Sequence, residues 1–142
     1  MCGVAGYFNI NKKNINEKHL RNIIQKISHR GPDGSDFYIE KNNLIGIGHA
    51  HLNIIQPNSK KNQPFWDLKK RFLISFNGEI YNYKEIINEL NTHGIEIIND
   101  NDADVVVNAY ALWGEDCVKK FNGMWAFAIW DKIKEEFFIS RD

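Results

Sequence analysis

Cysteine stands second in this chain, in Met1-Cys2-Gly3-Val4-Ala5-Gly6-Tyr7-Phe8, so removal of the initiator methionine puts a thiol and a free α-amino group on one residue. A thiolate is the attacking species in acyl transfer, and an α-amine with an ordinary pKa of about 7.7 to 8.0 can take the thiol proton near neutrality. Such a residue needs no histidine as base. The same stretch also reads as an apolar first strand with a buried cysteine, in which Val4, Tyr7 and Phe8 face a core and Gly3, Ala5 and Gly6 admit close neighbours. A second group is Asn77-Gly78-Glu79 at the end of an apolar run. The Asn77 side-chain amide and the Gly78 backbone N–H could together stabilise a developing oxyanion, and Asn-Gly is also the dipeptide of a plain turn. Asp102, within Asn101-Asp102-Ala103-Asp104, stands at a helix start. A carboxylate there caps the helix, binds a substrate ammonium, or does both.

The other chemically suggestive residues point to structure. His29-Arg30-Gly31-Pro32-Asp33-Gly34 is a dense turn in which Pro and Gly set the backbone and Arg30 can pair with Asp33, suited to shaping the rim of a cleft. His49 and His51 share a strand face, but no third ligand accompanies them, so no metal site is expected. Cys117 follows the acidic pair Glu115 and Asp116, surroundings that do not activate a thiol. Two cysteines make no disulfide framework.

Composition sets bounds on the partners. Lys+Arg and Asp+Glu are equal at 18 each among 142 residues, so no global field attracts nucleic acid or an anionic membrane. No apolar run reaches the length of a membrane span and the start lacks the pattern of a signal peptide, which makes the cytoplasm the expected location. The 43% hydrophobic content, with nine phenylalanines and four tryptophans, fits one packed domain.

Periodicity supplies the elements that must position these residues. Leu20, Ile23, Ile24 and Ile27 predict an amphipathic helix over 15–28, with Asn14 as N-cap and Glu17 as its capping-box partner. Asp36 to Glu40 and Leu44 to His49 flank Lys41-Asn42-Asn43 as a hairpin. Arg71 to Asn77 alternates with period two and should end at Asn77-Gly78. A helix follows, capped by Asn82 with Glu85 three residues on and stopped at Gly94; another runs from about Asp104 to Trp113 and stops at Gly114. Met124 to Trp130 and Glu136 to Ser140 are strands joined by the charged turn Asp131 to Glu135. Strands and helices are segregated rather than alternating, an α+β pattern with largely antiparallel sheets.

Taken together, Cys2-Gly3-Val4-Ala5-Gly6, His29-Arg30-Gly31-Pro32-Asp33, Phe76-Asn77-Gly78-Glu79-Ile80-Tyr81-Asn82, Asp102 before a helix, and Phe121-Asn122-Gly123-Met124-Trp125-Ala126-Phe127 resemble the N-terminal glutaminase domain of glutamine-hydrolysing asparagine synthetases, in order and spacing over the whole chain. The resemblance implies a class II glutamine amidotransferase domain over 1–142 with the N-terminal nucleophile hydrolase fold, two stacked antiparallel sheets between helical layers. It implies Cys2 as nucleophile and Asn77 with Gly78 as oxyanion hole. Gly78, Glu79 and Asp102 would surround the substrate amino group, while His51, Leu52, Asn53, Ile54 and Ile55 would line the carboxylate side. As partners it implies glutamine and an ATP-dependent synthetase domain or subunit, and it leaves room for a homodimer. No cofactor is implied for this chain, ATP and Mg being expected only for the synthetase domain.

Two departures stand out. Where the family places an arginine that clamps the glutamine carboxylate, this chain has His51, which offers one directed donor in place of a charged fork. The chain also stops at Ser140-Arg141-Asp142, where family members continue through the last strands and into a synthetase domain. The expected fold is thus C-terminally incomplete, and ligation is beyond this chain alone. The expected activity is release of ammonia from glutamine for an asparagine-synthetase-type amide transfer. The alternatives are hydrolysis of a different amide, or a non-catalytic truncated module kept for interaction.

Overall fold

The computed structural model describes residues 2–11, 16–40, 44–52, 63–97 and 101–142. Contacts divide the chain into two compact units, Met1–Phe65 and Trp66–Asp142.

In the first unit, β1 (Gly3–Phe8), β2 (Gly34–Ile39) and β3 (Ile45–His51) form an antiparallel sheet in the order β1-β3-β2. β3 is central and buried from Ile45 to Ala50. Helix α1 (Glu17–Lys26) packs on this sheet through Leu20 and Ile24, each side chain contributing about 1.5–3 kcal/mol by leaving water. The alternation Ile45-Gly46-Ile47-Gly48 makes room for it: a Cβ on Gly48 would stand 2.3 Å from Ile24 Cδ1. The hairpin forms as expected, with Ile39 opposite Gly46, although its turn at Lys41 to Asn43 lies outside the described residues.

Three local expectations for this unit change. The helix is shorter than 15–28, because Ser28–Arg30 is a separate 3-10 turn. Its N-cap is Asn16, whose side chain accepts the His19 N–H while the His19 ring accepts the Asn16 N–H. Asn14 lies outside the described residues, and Glu17 instead pairs with Arg21 at 2.6 Å. Phe8 is 43% exposed rather than buried, at the end of a strand that among the described residues pairs with β3 alone.

In the second unit, β4 (Phe65–Trp66), β5 (Phe72–Ile80), β6 (Gly123–Asp131) and β7 (Glu136–Arg141) form a sheet in that order. β5 pairs with β6 from Phe72 opposite Asp131 to Ile80 opposite Gly123. Helix α3 (Asp102–Trp113) packs on β5, and α2 (Tyr83–Thr92) packs on α3. Val105, Val106, Val107 and Ala109 are all fully buried, so α3 is a core helix. Tyr110 meets Phe72 edge-on at 5.3 Å and stacks on Phe138 at 5.1 Å. Gly94 and Gly114 end the two helices at φ +75° and +59°, conformations that glycine adopts without strain.

The expected charged turn after β6 begins with a buried residue. Asp131 is 1% exposed and takes two bonds from Arg71, at 3.1 and 2.7 Å. Burial alone would raise its carboxyl pKa, but Arg71 and the Ile133 and Lys134 amides outweigh burial and hold it below its ordinary value. Both sheets being antiparallel with the helices segregated, the molecule has the expected α+β class.

Candidate functional site

Antiparallel pairing of β1 with β3 places Gly3 opposite Ala50, so Cys2 comes to lie beside His51 and Leu52 at the end of β3. The Leu52 N–H donates to Cys2 Sγ at 3.4 Å. The 3-10 turn brings Arg30 to the same place, where its Nε donates to the Cys2 carbonyl at 3.2 Å. Gly31 makes this docking feasible, because a Cβ there would stand 2.3 Å from the Ala50 carbonyl oxygen. Asp33 adds its N–H to the His51 carbonyl at 3.0 Å. His29, Arg30, Pro32 and Leu52 line a shallow cleft of about 430 Å³, the rim that the turn's residues suggested. Cys2 is half-buried against the Leu52 wall of that cleft.

His51 brings no fixed charge to this corner. Burial lowers its pKa, opposed by Asp36 and the Gln63 backbone. His49, fully buried with its ring 4.7 Å from that of His51, is pulled down to about 3 by burial and by its neighbour. Both imidazoles are therefore neutral near pH 7, and among the described residues that line the cleft Arg30 is the permanent cation. Asn53, Ile54 and Ile55 lie outside the described residues.

In the second unit, Asn77-Gly78 is not a turn. β5 runs on through Ile80, with Asn77 opposite Ala126, Gly78 opposite Trp125 and Glu79 opposite Met124. Glycine is required at 78 by the closeness of β6, since a Cβ would stand 2.2 Å from the Met124 carbonyl oxygen. The ladder also decides where the Gly78 N–H points. Trp125 directs its N–H and C=O to Asp142, and alternate residues of an antiparallel ladder face opposite edges. Gly78, across from Trp125, therefore turns its N–H away from β6, to the same edge as the Ile80 N–H. That edge carries Asp102, whose Oδ2 accepts the Ile80 N–H at 3.0 Å.

Asp102 is thus not the helix cap. Asn101 caps α3, accepting the Asp104 N–H at 2.9 Å, which leaves Asp102 in the first turn with its carboxylate on β5. The structure brings Cys2, His51 and Leu52 together in one unit, and Asn77, Gly78, Glu79 and Asp102 together in the other. The bond from Arg30 to the Cys2 carbonyl, the Leu52 amide on sulfur and the Ile80 amide on Asp102 were not read from the sequence. Only the density of Gly and Pro around Arg30 signalled a forced docking. Cys117 is fully buried and its thiol pushed up to about 12, chiefly by burial, so it is no nucleophile. Among the described residues no cluster of three metal-ligating side chains occurs, and no helix is long and apolar enough to cross a membrane.

The asparagine synthetase (glutamine-hydrolyzing) 3 of Bacillus subtilis is 33% identical over 145 residues, covering 100% of this chain and 23% of that protein. Asparagine synthetase (glutamine-hydrolyzing) 1 of the same organism is 34% identical over 151 residues, covering 100% and 22%. The chain therefore spans about a quarter of the length of these relatives. Among solved structures, the glutamine phosphoribosylpyrophosphate amidotransferase from B. subtilis, complexed with ADP and GMP, superposes with a TM-score of 0.55 at 18% identity over 70% of this chain and 23% of that one. That likeness shows the fold alone. A family model described as "Glutamine amidotransferase domain" matches residues 1–142, and the chain belongs to that family, with relatives of the asparagine-synthetase type.

Proposed function

We propose that this chain hydrolyses the side-chain amide of glutamine with Cys2 as nucleophile. After loss of Met1, the Cys2 α-amine takes the thiol proton and the sulfur attacks the amide carbon. The tetrahedral intermediate collapses to a thioester as ammonia leaves, carrying the proton that the α-amine returns. Water then attacks the thioester, releasing glutamate and restoring the thiol. Asn77 and Gly78 donate to the oxyanion. The Gly78 and Glu79 backbone and the Asp102 carboxylate receive the substrate ammonium. His51 and Leu52 line the carboxylate side, with Arg30 supplying the fixed positive charge that neutral His51 lacks.

The observation that carries this reading is the position of the Cys2 thiol, held by the backbone amide of Leu52, a residue that lines the cleft. Two further features support it: the Gly78 N–H is not taken up by β6, and the family match extends over the whole chain. None of these steps requires ATP, Mg or another cofactor. In the complete protein the ammonia would pass to a synthetase domain or subunit that activates a carboxylate acceptor. The neutral state of His51 favours one second reading, in which the amide hydrolysed is not that of an α-amino acid.

The test is to incubate the purified chain with glutamine and with an electrophilic glutamine analogue, then measure ammonia and adduct mass. Ammonia release and a single adduct on an N-terminal Cys2 are expected. Chain beginning at Cys2 that releases no ammonia and takes no adduct overturns the proposal; an active preparation retaining Met1 removes the α-amine as base.

A further inference from the structure

β5 ends at Ile80, two residues beyond Gly78, and the bonds that hold this exit belong to no step of the reaction. Asn82 makes two of them. Its Oδ1 accepts the Asn122 N–H at 2.9 Å and its Nδ2 donates to the Lys120 carbonyl at 2.9 Å. Between them, the Tyr81 N–H donates to the Asn122 carbonyl at 2.7 Å.

Asn82 occupies the N-cap position of α2, yet its side chain makes no cap bond there. The amide that would ordinarily satisfy the helix start instead holds a loop about forty residues further along the chain. That loop enters β6 at Gly123, which faces Ile80. A Cβ on Gly123 would stand 2.0 Å from the Glu79 carbonyl oxygen, so loop and strand exit meet without slack. Asp102 holds the same exit from the opposite edge through the Ile80 N–H.

Register governs what this clamp controls. A slip of one residue in an antiparallel pair turns every side chain to the other face. In β5 it would redirect both the Asn77 amide and the Gly78 N–H. We infer that Asn82 is a positioning residue, locking the 120–122 loop onto the end of β5 and so holding Asn77, Gly78 and Glu79 in the arrangement that the reaction uses. This inference rests on the glutaminase reading above for its consequence in turnover, though not for its structural part.

The experiment compares Asn82→Ala and Asn82→Asp with wild type in the full chain, by glutamine-hydrolysis kinetics normalised to folded protein and by amide hydrogen exchange. Asn82→Ala should lower kcat at least tenfold with KM changed less than threefold, and speed exchange at Glu79, Tyr81 and Asn122 at least tenfold. Asn82→Asp keeps the acceptor for the Asn122 N–H and should recover part of both effects. Wild-type kcat per folded molecule in Asn82→Ala overturns the inference, even if that variant melts earlier. Should Asn82→Ala not fold, the same criteria apply to Asn82→Asp with a smaller expected effect. If the wild type hydrolyses no glutamine, the reading of Cys2 fails by itself, and unchanged exchange at Glu79, Tyr81 and Asn122 in Asn82→Ala then overturns the clamp.

Discussion

Asp102 accepts the Ile80 N–H at 3.0 Å while its neighbour Asn101 caps the helix that both begin. Two adjacent polar residues thereby divide two tasks, one capping the start of a helix and the other reaching the strand that carries Asn77 and Gly78. This division makes their contributions separable by mutation.

If Asp102 receives the substrate ammonium as proposed, Asp102→Asn should raise KM for glutamine about tenfold or more with kcat little changed. Its unfolding midpoint should stay near wild type. Asn101→Ala should do the reverse, costing about 1 kcal/mol of stability with KM unaffected. Steady-state kinetics and urea unfolding on both variants decide the matter, and a stability loss without a KM change in Asp102→Asn would return Asp102 to a structural role.

Asn77→Ala should lower kcat by about 10² to 10³-fold, the usual loss for one oxyanion donor, with small effects on KM and folding. Gly78→Ala should behave differently. Its Cβ would stand 2.2 Å from the Met124 carbonyl oxygen, so β5 and β6 must separate. Loss of stability together with activity is expected, measured by thermal unfolding beside the rate. A fully active Asn77→Ala would show that this side chain only occupies a strand position.

The carboxylate side offers a pH test. Burial lowers the His51 pKa below 6.5, so its imidazolium forms only on the acid side of neutrality. KM for glutamine should fall modestly as pH drops through that region, and His51→Arg should lower KM about tenfold, consistent with one charge-assisted bond of roughly 1.5 to 3 kcal/mol, while removing the acid dependence. Arg30→Gln should raise KM at every pH. Kinetics across pH 5 to 9, roughly the range in which His and an α-amine titrate, check each variant. Unchanged KM in both would mean that neither residue meets the carboxylate.

His49 carries a stability prediction whose sign follows from linkage. Its folded pKa, about 3, lies below the ordinary 6.5, so the unfolded chain takes up the proton first as pH falls. Stability is full above about 6.5 and declines as pH drops toward about 3, by at most roughly 1.4 kcal/mol per pH unit from this one group. Denaturant titrations at several pH values should show His49→Gln with a flatter acid limb. Equal slopes in variant and wild type would assign the acid sensitivity to carboxylates such as Asp131.

Periodicity and punctuation made the elements legible. The alternation from Arg71, the apolar spacing of α1 and α2, and the glycines at 94 and 114 are local signals, and the strands and helices form where those signals lie. A candidate nucleophile, Cys2, was legible too, because the chemistry proposed for it depends on position in the chain. Other outcomes turned on partners remote in sequence. Asn77-Gly78 reads locally as a turn, yet pairing with β6 carries the strand through it; only that ladder aims the Gly78 N–H at the edge where Asp102 stands. Asn82 reads as a cap, and its amide is taken by a loop some forty residues away. Which of Asn101 and Asp102 caps α3 depends on the nearness of Ile80, and the neutrality of His51 depends on how deeply β3 is buried. A residue's type and its near neighbours determine what it can do. Its hydrogen-bond partner and its charge state are decided by competition with groups that only the folded chain brings within 3 Å, the reach of a hydrogen bond.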